Sequence, residues 1–191
     1  GGRTYQTRLF GTIEGELGGI YQDKNTNTLL TAVMQLYNKQ IIRNIDSVAK
    51  GFSNVCEATG LMGRWQQIQQ NLTVVCDTGH NEAGWKDLSL QIKSQKYRTL
   101  RIVFGMVDDK DIEAVMALLP ANAIYYWTQP STKRAFSADK VARIGKQYNL
   151  EGRTFVDVAE AYEQALSEAE SDDFIFVGGS SYIVADFLSK F

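Results

Sequence analysis

From Thr73 onward the chain alternates short apolar runs with amphipathic stretches, and few folds accept that alternation. The apolar runs are Thr73-Val74-Val75-Cys76, Leu100-Arg101-Ile102-Val103-Phe104, Ala123-Ile124-Tyr125-Tyr126-Trp127, Thr154-Phe155-Val156 and Phe174-Ile175-Phe176-Val177. Each has strand length and is rich in β-branched or aromatic residues. Such runs are buried on both faces, as in a parallel sheet covered by helices. Five stretches between and after them read as helices. Asn81 to Gln95 follows a Gly-His-Asn turn. Lys110 to Leu119 is stopped by Pro120. Ser137 to Tyr148 opens on a hydroxyl cap and Asp157 to Ala169 on an Asp cap. Ser181 to Lys190 closes the chain. The expected fold is α/β: a doubly wound, mostly parallel sheet with helices on both faces and right-handed crossovers. Ligands of such sheets sit beyond the carboxyl ends of the strands.

The first sixty residues break the pattern. Arg8-Leu9-Phe10-Gly11 reads as a strand. Asn25 to Tyr37 and Asp46 to Ala58 read as two helices with no strand between them, and Leu29, Leu30, Val33, Met34 and Tyr37 are expected to face inward. Residues 1 to about 60 are therefore read as the tail of a preceding domain, with Gly60-Leu61-Met62-Gly63 as a hinge and 61–191 as a domain of its own.

Composition narrows the function. The chain has 20 Lys and Arg against 22 Asp and Glu, with no basic run, so nothing recommends nucleic acid. No apolar stretch has the length of a membrane span. Cys56 and Cys76 are far apart, and His80 is the only histidine, so a zinc cluster is not expected. Two isolated cysteines fit a reducing compartment.

The residues that can carry chemistry stand where predicted strands end. Val75-Cys76-Asp77-Thr78-Gly79-His80-Asn81 joins a buried strand to a helix start, a place that collects free N–H groups and suits an anion. Asp77 can hold a ribose hydroxyl or order a magnesium-bound water, and His80 can meet a phosphate. Equally, Asp77 and Asn81 can cap the helix, with His80 a surface residue. Gly105 to Asp111 ends the second run. Its Lys110 and Asp111 can face a ligand or serve as first-turn charges. Gly178-Gly179-Ser180-Ser181 can cradle a carboxylate or phosphate, or form a tight turn with a serine cap. Arg64, after Gly63, can fork a phosphate or be a linker charge. Arg134, in the polar loop that begins at Gln129-Pro130, is a candidate anion contact. No GxxxxGK[ST] phosphate loop and no GxGxxG occurs in the chain.

In order, these segments resemble the folylpolyglutamate synthase/dihydrofolate synthase family, related to the Mur ligases. Gly19-Ile20-Tyr21-Gln22-Asp23-Lys24-Asn25 is similar to its G-x-Y-Q-x-x-N, and Gly63-Arg64 to its G-R hinge signature. Asp77-Thr78-Gly79-His80-Asn81 resembles D-G-A-H-N-P, with Thr78-Gly79 in place of Gly-Ala and Glu82 in place of proline. Gly105 to Asp111 resembles G-x-x-x-D-K-D. Gln129-Pro130 with Arg134-Ala135 is similar to the Q-P…R-A loop, and Gly179-Ser180-x-Tyr182 to the final G-S-x-Y.

The resemblance implies a Rossmann-like carboxy-terminal ligase domain over 61–191, preceded by a helical remnant of an ATPase domain. It implies ATP-dependent addition of L-glutamate to a folate or dihydropteroate through an acyl phosphate, in the cytoplasm. ATP and Mg2+ would be bound mainly by an amino-terminal domain outside this chain. Asp77 and His80 would contact ribose and phosphates, Arg64 would lie near the nucleotide across the hinge, and Asn25 would belong to the nucleotide wall. Ser180 and Arg134 would face the incoming glutamate. No covalent catalytic residue and no metal ligand is expected here, and association through residues 1–60 is expected if their apolar face is uncovered. Three other readings stay open: a Mur-type peptidoglycan precursor ligase, a dinucleotide-binding module, and a non-catalytic interaction domain.

Overall fold

The computed structural model describes residues 2–108 and 111–190. The chain divides into two compact units, Gly1–Arg64 and Trp65–Phe191.

The first unit holds an antiparallel hairpin, β1 (Arg3–Thr7) and β2 (Gly11–Gly15), followed by helices α1 (Gln22–Asn38), α2 (Asp46–Ser53) and α3 (Val55–Thr59). Residues 8 to 10 form the hairpin turn, not the expected strand. Thr7 Oγ1 accepts from Phe10 N at 3.0 Å and donates to the carbonyl of Gly11 at 2.8 Å, and Gly11 takes φ +66°. That left-handed conformation favours glycine and closes the turn. The alternating polar residues of these strands hid them: one face buries little besides Ile13. The expected second helix is two, because Asn54 leaves the helical region at φ −139°. Within this unit α1 buries Gln22 and Thr26, whereas Leu29 and Tyr37 are 50% and 41% exposed, contrary to the inward face expected of them. Leu30, Val33 and Met34 are half-buried, so the apolar stripe of α1 is only partly covered, and Leu29, Leu36 and Tyr37 are its exposed part.

The second unit is the expected sheet with one addition. Its strands are β3 (Gln66–Gln69), β4 (Thr73–Asp77), β5 (Leu100–Phe104), β6 (Ile124–Trp127), β7 (Gly152–Thr154) and β8 (Phe174–Gly178). Their order is β3-β4-β8-β5-β6-β7, with every neighbour parallel except the antiparallel β3. β7 lies just ahead of the predicted Thr154-Phe155-Val156 run, because Gly152, Arg153 and Thr154 pair with β6 while Phe155 follows the strand. The helices are α4 (Glu82–Lys93), α5 (Ile112–Met116), α6 (Ala138–Gln147), α7 (Val158–Ser167) and α8 (Ser181–Leu188).

Period-two alternation divides the sheet residues between two faces. Val74, Cys76, Val103, Tyr126, Ile175 and Val177 pack against α7 and α8. On the other face Trp85 of α4 meets Phe104 and Phe176 edge-on at 5.7 and 5.6 Å. Gly145 of α6 lies so close to Trp127 that a Cβ there would stand 2.8 Å from the indole. Every strand-to-helix turn is capped by the residue that starts it: Asn81, Asp111, Ser137, Asp157 and Ser180 each accept a first-turn N–H. No helix is long and apolar enough to cross a membrane among the described residues.

Candidate functional site

Parallel pairing brings the carboxyl ends of four strands into one row. Asp77 pairs with Gly178, Gly178 with Phe104, and Phe104 with Trp127. The loops that leave this row carry the candidates. Glycine lets them approach each other: a Cβ on Gly105 would lie 2.5 Å from the Thr128 carbonyl, and one on Gly179, at φ +107°, 2.4 Å from the Gly105 carbonyl. Asp77 and Ser180 therefore leave adjacent strand ends, as the sequence pattern implied.

Asp77 is 1% exposed. Its Oδ2 accepts from the Trp65 amide at 2.7 Å and its Oδ1 from the Gly79 amide at 2.8 Å. The carboxylate thus shapes the turn and holds the first residue of the second unit. Trp65 needs that hold, since its φ of +48° is costly for a bulky side chain. Helix α4 is capped by Asn81 alone, whose Oδ1 accepts from Gly84 N at 2.9 Å. By helix geometry the N–H groups of Glu82 and Ala83 have no intrahelical acceptor.

His80 Nδ1 lies 3.1 Å from the Thr78 carbonyl oxygen. A carbonyl only accepts, so Nδ1 carries the proton and Nε2 is the working nitrogen. Neutral, it offers a lone pair to a hydroxyl; doubly protonated, it offers an N–H to an anion. Beside it the Thr78 hydroxyl is buried and has no hydrogen-bond partner among the described residues, and the same holds for Thr128. Buried hydroxyls normally find partners, so these two mark the rim as chemically incomplete.

Ser180 is 1% exposed, and its Oγ accepts from Ile183 N at 3.2 Å, so it caps α8. Arg134 is exposed, in the loop after β6. That loop is zipped to the one after β5: Asp108 N donates to the Arg134 carbonyl at 2.8 Å and Phe136 N to that of Met106 at 3.0 Å. Arg64 is exposed and ends the first unit. Asn25, on α1 of that unit, donates to Gln22 Oε1 at 3.0 Å. Lys110 lies outside the described residues, and Asp111 caps α5 through Ala114 N at 3.0 Å. The Cys76 thiol is pushed up to about 12, by burial first and then by the Asp77 charge, which makes it a poor nucleophile. Among the described residues no group of three or more His, Cys, Asp or Glu side chains could hold a metal.

A family model described as Mur ligase, glutamate ligase domain, matches residues 63–181. The chain belongs to the Mur ligase family. The chain is 30% identical, over 145 residues and 74% of its length, to a probable bifunctional folylpolyglutamate synthase/dihydropteroate synthase of Halobacterium salinarum, of which it covers 17%. A bifunctional folylpolyglutamate synthase/dihydrofolate synthase solved with Mn, AMPPNP and L-glutamate superposes with TM-score 0.62 at 28% identity, over 68% of this chain and 31% of that one. The Mycobacterium tuberculosis folylpolyglutamate synthase complexed with ADP superposes over 98% of this chain and 46% of that one, with TM-score 0.80 at 21% identity, which extends the shared fold to both units. The chain thus spans less than half the length of each of these relatives.

A buried network of charges lies at the other end of the sheet. Arg101, 7% exposed on β5, donates to Asp173 Oδ2 at 3.1 Å, to the Tyr126 hydroxyl at 2.7 Å and to the Glu168 carbonyl at 2.6 Å. Tyr126 passes its proton side to Glu168 Oε2 at 2.6 Å. The Tyr126 hydroxyl, then Arg153 and Gln164, hold the Glu168 carboxyl down at about 2. The charge inside the apolar run Leu100–Phe104 was the available signal, since an arginine in a fully buried strand needs buried partners.

Proposed function

We propose that this chain is the carboxy-terminal portion of an ATP-dependent amide ligase that adds glutamate to a folate or dihydropteroate through an acyl phosphate. The observation that carries the reading is the rim. Asp77, His80 and the uncapped N–H groups of α4 leave β4, and Ser180 leaves β8 beside it. The relatives' names favour folate over a muramyl peptide acceptor. Absence of GxGxxG weighs against a dinucleotide module.

In this reading residues 1 to about 60 continue an ATPase domain, and 61–191 close over its nucleotide. The chain's part is to bind, orient and exclude water. The His80 Nε2 and the α4 N–H groups fit the anionic, hydroxyl-bearing face of a nucleotide, and the unpartnered Thr78 hydroxyl fits it too. Asp77 holds two amides, and a ribose hydroxyl would donate to the same carboxylate. Arg64 and Asn25 would add nucleotide contacts, while Arg134 and Ser180 would face glutamate. Because Ser180 Oγ already accepts from Ile183 N, its O–H is what remains to donate to a glutamate carboxylate.

The chemistry needs no protein nucleophile. A carboxylate oxygen attacks the γ-phosphorus and ADP departs; the glutamate amine then attacks the acyl carbon, phosphate leaves and the amine loses a proton. Magnesium would shield the phosphate charges, and in this reading the ATPase domain would hold most of its ligands. A cytoplasmic setting, and association through the uncovered side of α1, belong to the same proposal.

The test is an elongation assay with ATP, magnesium, glutamate and a folate. This chain alone should be inactive, and the protein that also carries a phosphate-loop domain should be active. Turnover by this chain alone would falsify the reading, and activity only with a muramyl peptide acceptor would replace the substrate.

A further inference from the structure

The two candidate glutamate contacts, Arg134 and Ser180, follow strands β6 and β8, which β5 separates. Neither touches the other through any bond described above, yet a small diacid can be held by both only if their spacing is fixed. A single side chain ties the two segments together. Asp186, two turns into α8, accepts from the Ser131 amide through Oδ2 at 2.6 Å and from the Ser131 hydroxyl through Oδ1 at 2.6 Å. Both bonds are short and charge-assisted, and the pair uses both carboxylate oxygens.

Each end of this clamp is itself anchored. Ser180 caps α8 from the first turn, and Ile183, Val184 and Phe187 bury that helix against the sheet. The loop of Ser131 carries Arg134 three residues on. It is held behind by Gln129 Oε1, which accepts from Ala138 N at 3.1 Å, and beyond by the Phe136 bond to Met106. Asp186 thus joins this loop to α8 through two hydrogen bonds from one side chain.

We propose that Asp186 is a positioning residue that fixes the distance between the Arg134 loop and the Ser180 helix start, and thereby sets affinity for the incoming amino acid. The proposal rests on the reading of Arg134 and Ser180 as glutamate contacts. Asp186 acts through Ser131 and has no contact with the reacting atoms. In the sequence it is only a polar residue of the last helix.

The test measures glutamate and ATP KM, with kcat, for Asp186→Ala, Ser131→Ala and Arg134→Ala in the ligase-active protein that carries this chain. Asp186→Ala should raise the glutamate KM about tenfold, with ATP KM and kcat within about twofold. Ser131→Ala keeps the amide bond and should raise it about threefold. The double variant should be no worse than Asp186→Ala, since the two residues form one clamp. A wild-type glutamate KM in Asp186→Ala, with Arg134→Ala impaired, would overturn the clamp and spare the site reading. A wild-type glutamate KM in Arg134→Ala would remove the site reading and the clamp with it. If Asp186→Ala fails to fold, Ser131→Ala decides: an equal loss in ATP KM, glutamate KM and kcat would mark a merely structural bond and sink the proposal.

Discussion

The two ends of the central sheet handle polar groups in opposite ways. At the amino ends of the strands, Arg101, Tyr126, Glu168 and Arg153 satisfy one another, joined by Asp173, and close the connection from α7 to β8 onto β5 and β6. At the carboxyl ends, carboxylates hold backbone amides, glycines replace side chains, and the hydroxyls of Thr78 and Thr128 have no partner among the described residues. The buried Asp173 Oδ1 also lacks a hydrogen-bond partner among the described residues, but it lies 3.5 Å from Arg98 Nε, so paired charges dominate one end and backbone-bound carboxylates the other. The contrast separates stability from function within one sheet, and it predicts that mutations at the two ends fail differently.

The largest effect is expected at the base. Arg101→Ala leaves buried Asp173 with only the Glu170 amide at 3.2 Å and the half-exposed Arg98 at 3.5 Å among the partners described, and should cost about 3 kcal/mol of folding stability. Chemical denaturation of the chain measures this, and a loss under 1 kcal/mol would show that the network is dispensable. At the rim, Asp77→Ala orphans the amides of Trp65 and Gly79 and should cost about 2–3 kcal/mol, so its kinetic defect will not be free of a folding defect. The sequence pattern leaves Asp77 as a ribose or magnesium-water contact or as a helix cap; the structure shows it bonded to the Trp65 and Gly79 amides, ahead of the helix that Asn81 caps.

Acid sharpens the comparison. Glu168 is held at about 2 against an ordinary 4.5, so its contribution is complete above about pH 4.5 and is lost as pH falls toward 2. Wild type should lose stability across that window, and Glu168→Gln should lose less over the same range because its titrating group is gone. Parallel pH profiles for the two proteins would contradict the assignment. The smallest effect is Ser180→Ala, which removes one helix cap and should cost about 1 kcal/mol. A larger fall in glutamate affinity than in stability would add the binding role proposed for its hydroxyl.

Much of this architecture was legible in the residues, and the exceptions have physical causes. Buried strands such as Leu100–Phe104 announce themselves because both faces are apolar. The edge strand Gln66–Gln69 has one apolar residue, Ile68, and the opposite edge, Gly152–Thr154, has three exposed ones. Edge strands need less burial and avoid apolar display, so their pattern is weak. The insertion of the last strand between β4 and β5 could not be read locally, because it is a decision of the whole sheet. The site was visible as glycine-rich strand ends carrying Asp77 and Ser180. Asp186 and Arg101 were not, since their meaning lies in partners 55 and 72 residues away.

The most direct measurement is the kinetics of His80→Ala in the ligase-active protein. Among the described residues His80 bonds only a neighbouring carbonyl, so its removal should leave the melting temperature within about 2 °C. Its Nε2 is assigned to the nucleotide, so kcat/KM for ATP should fall about tenfold to a hundredfold. Unchanged ATP kinetics in a well-folded His80→Ala protein would contradict the nucleotide-facing rim.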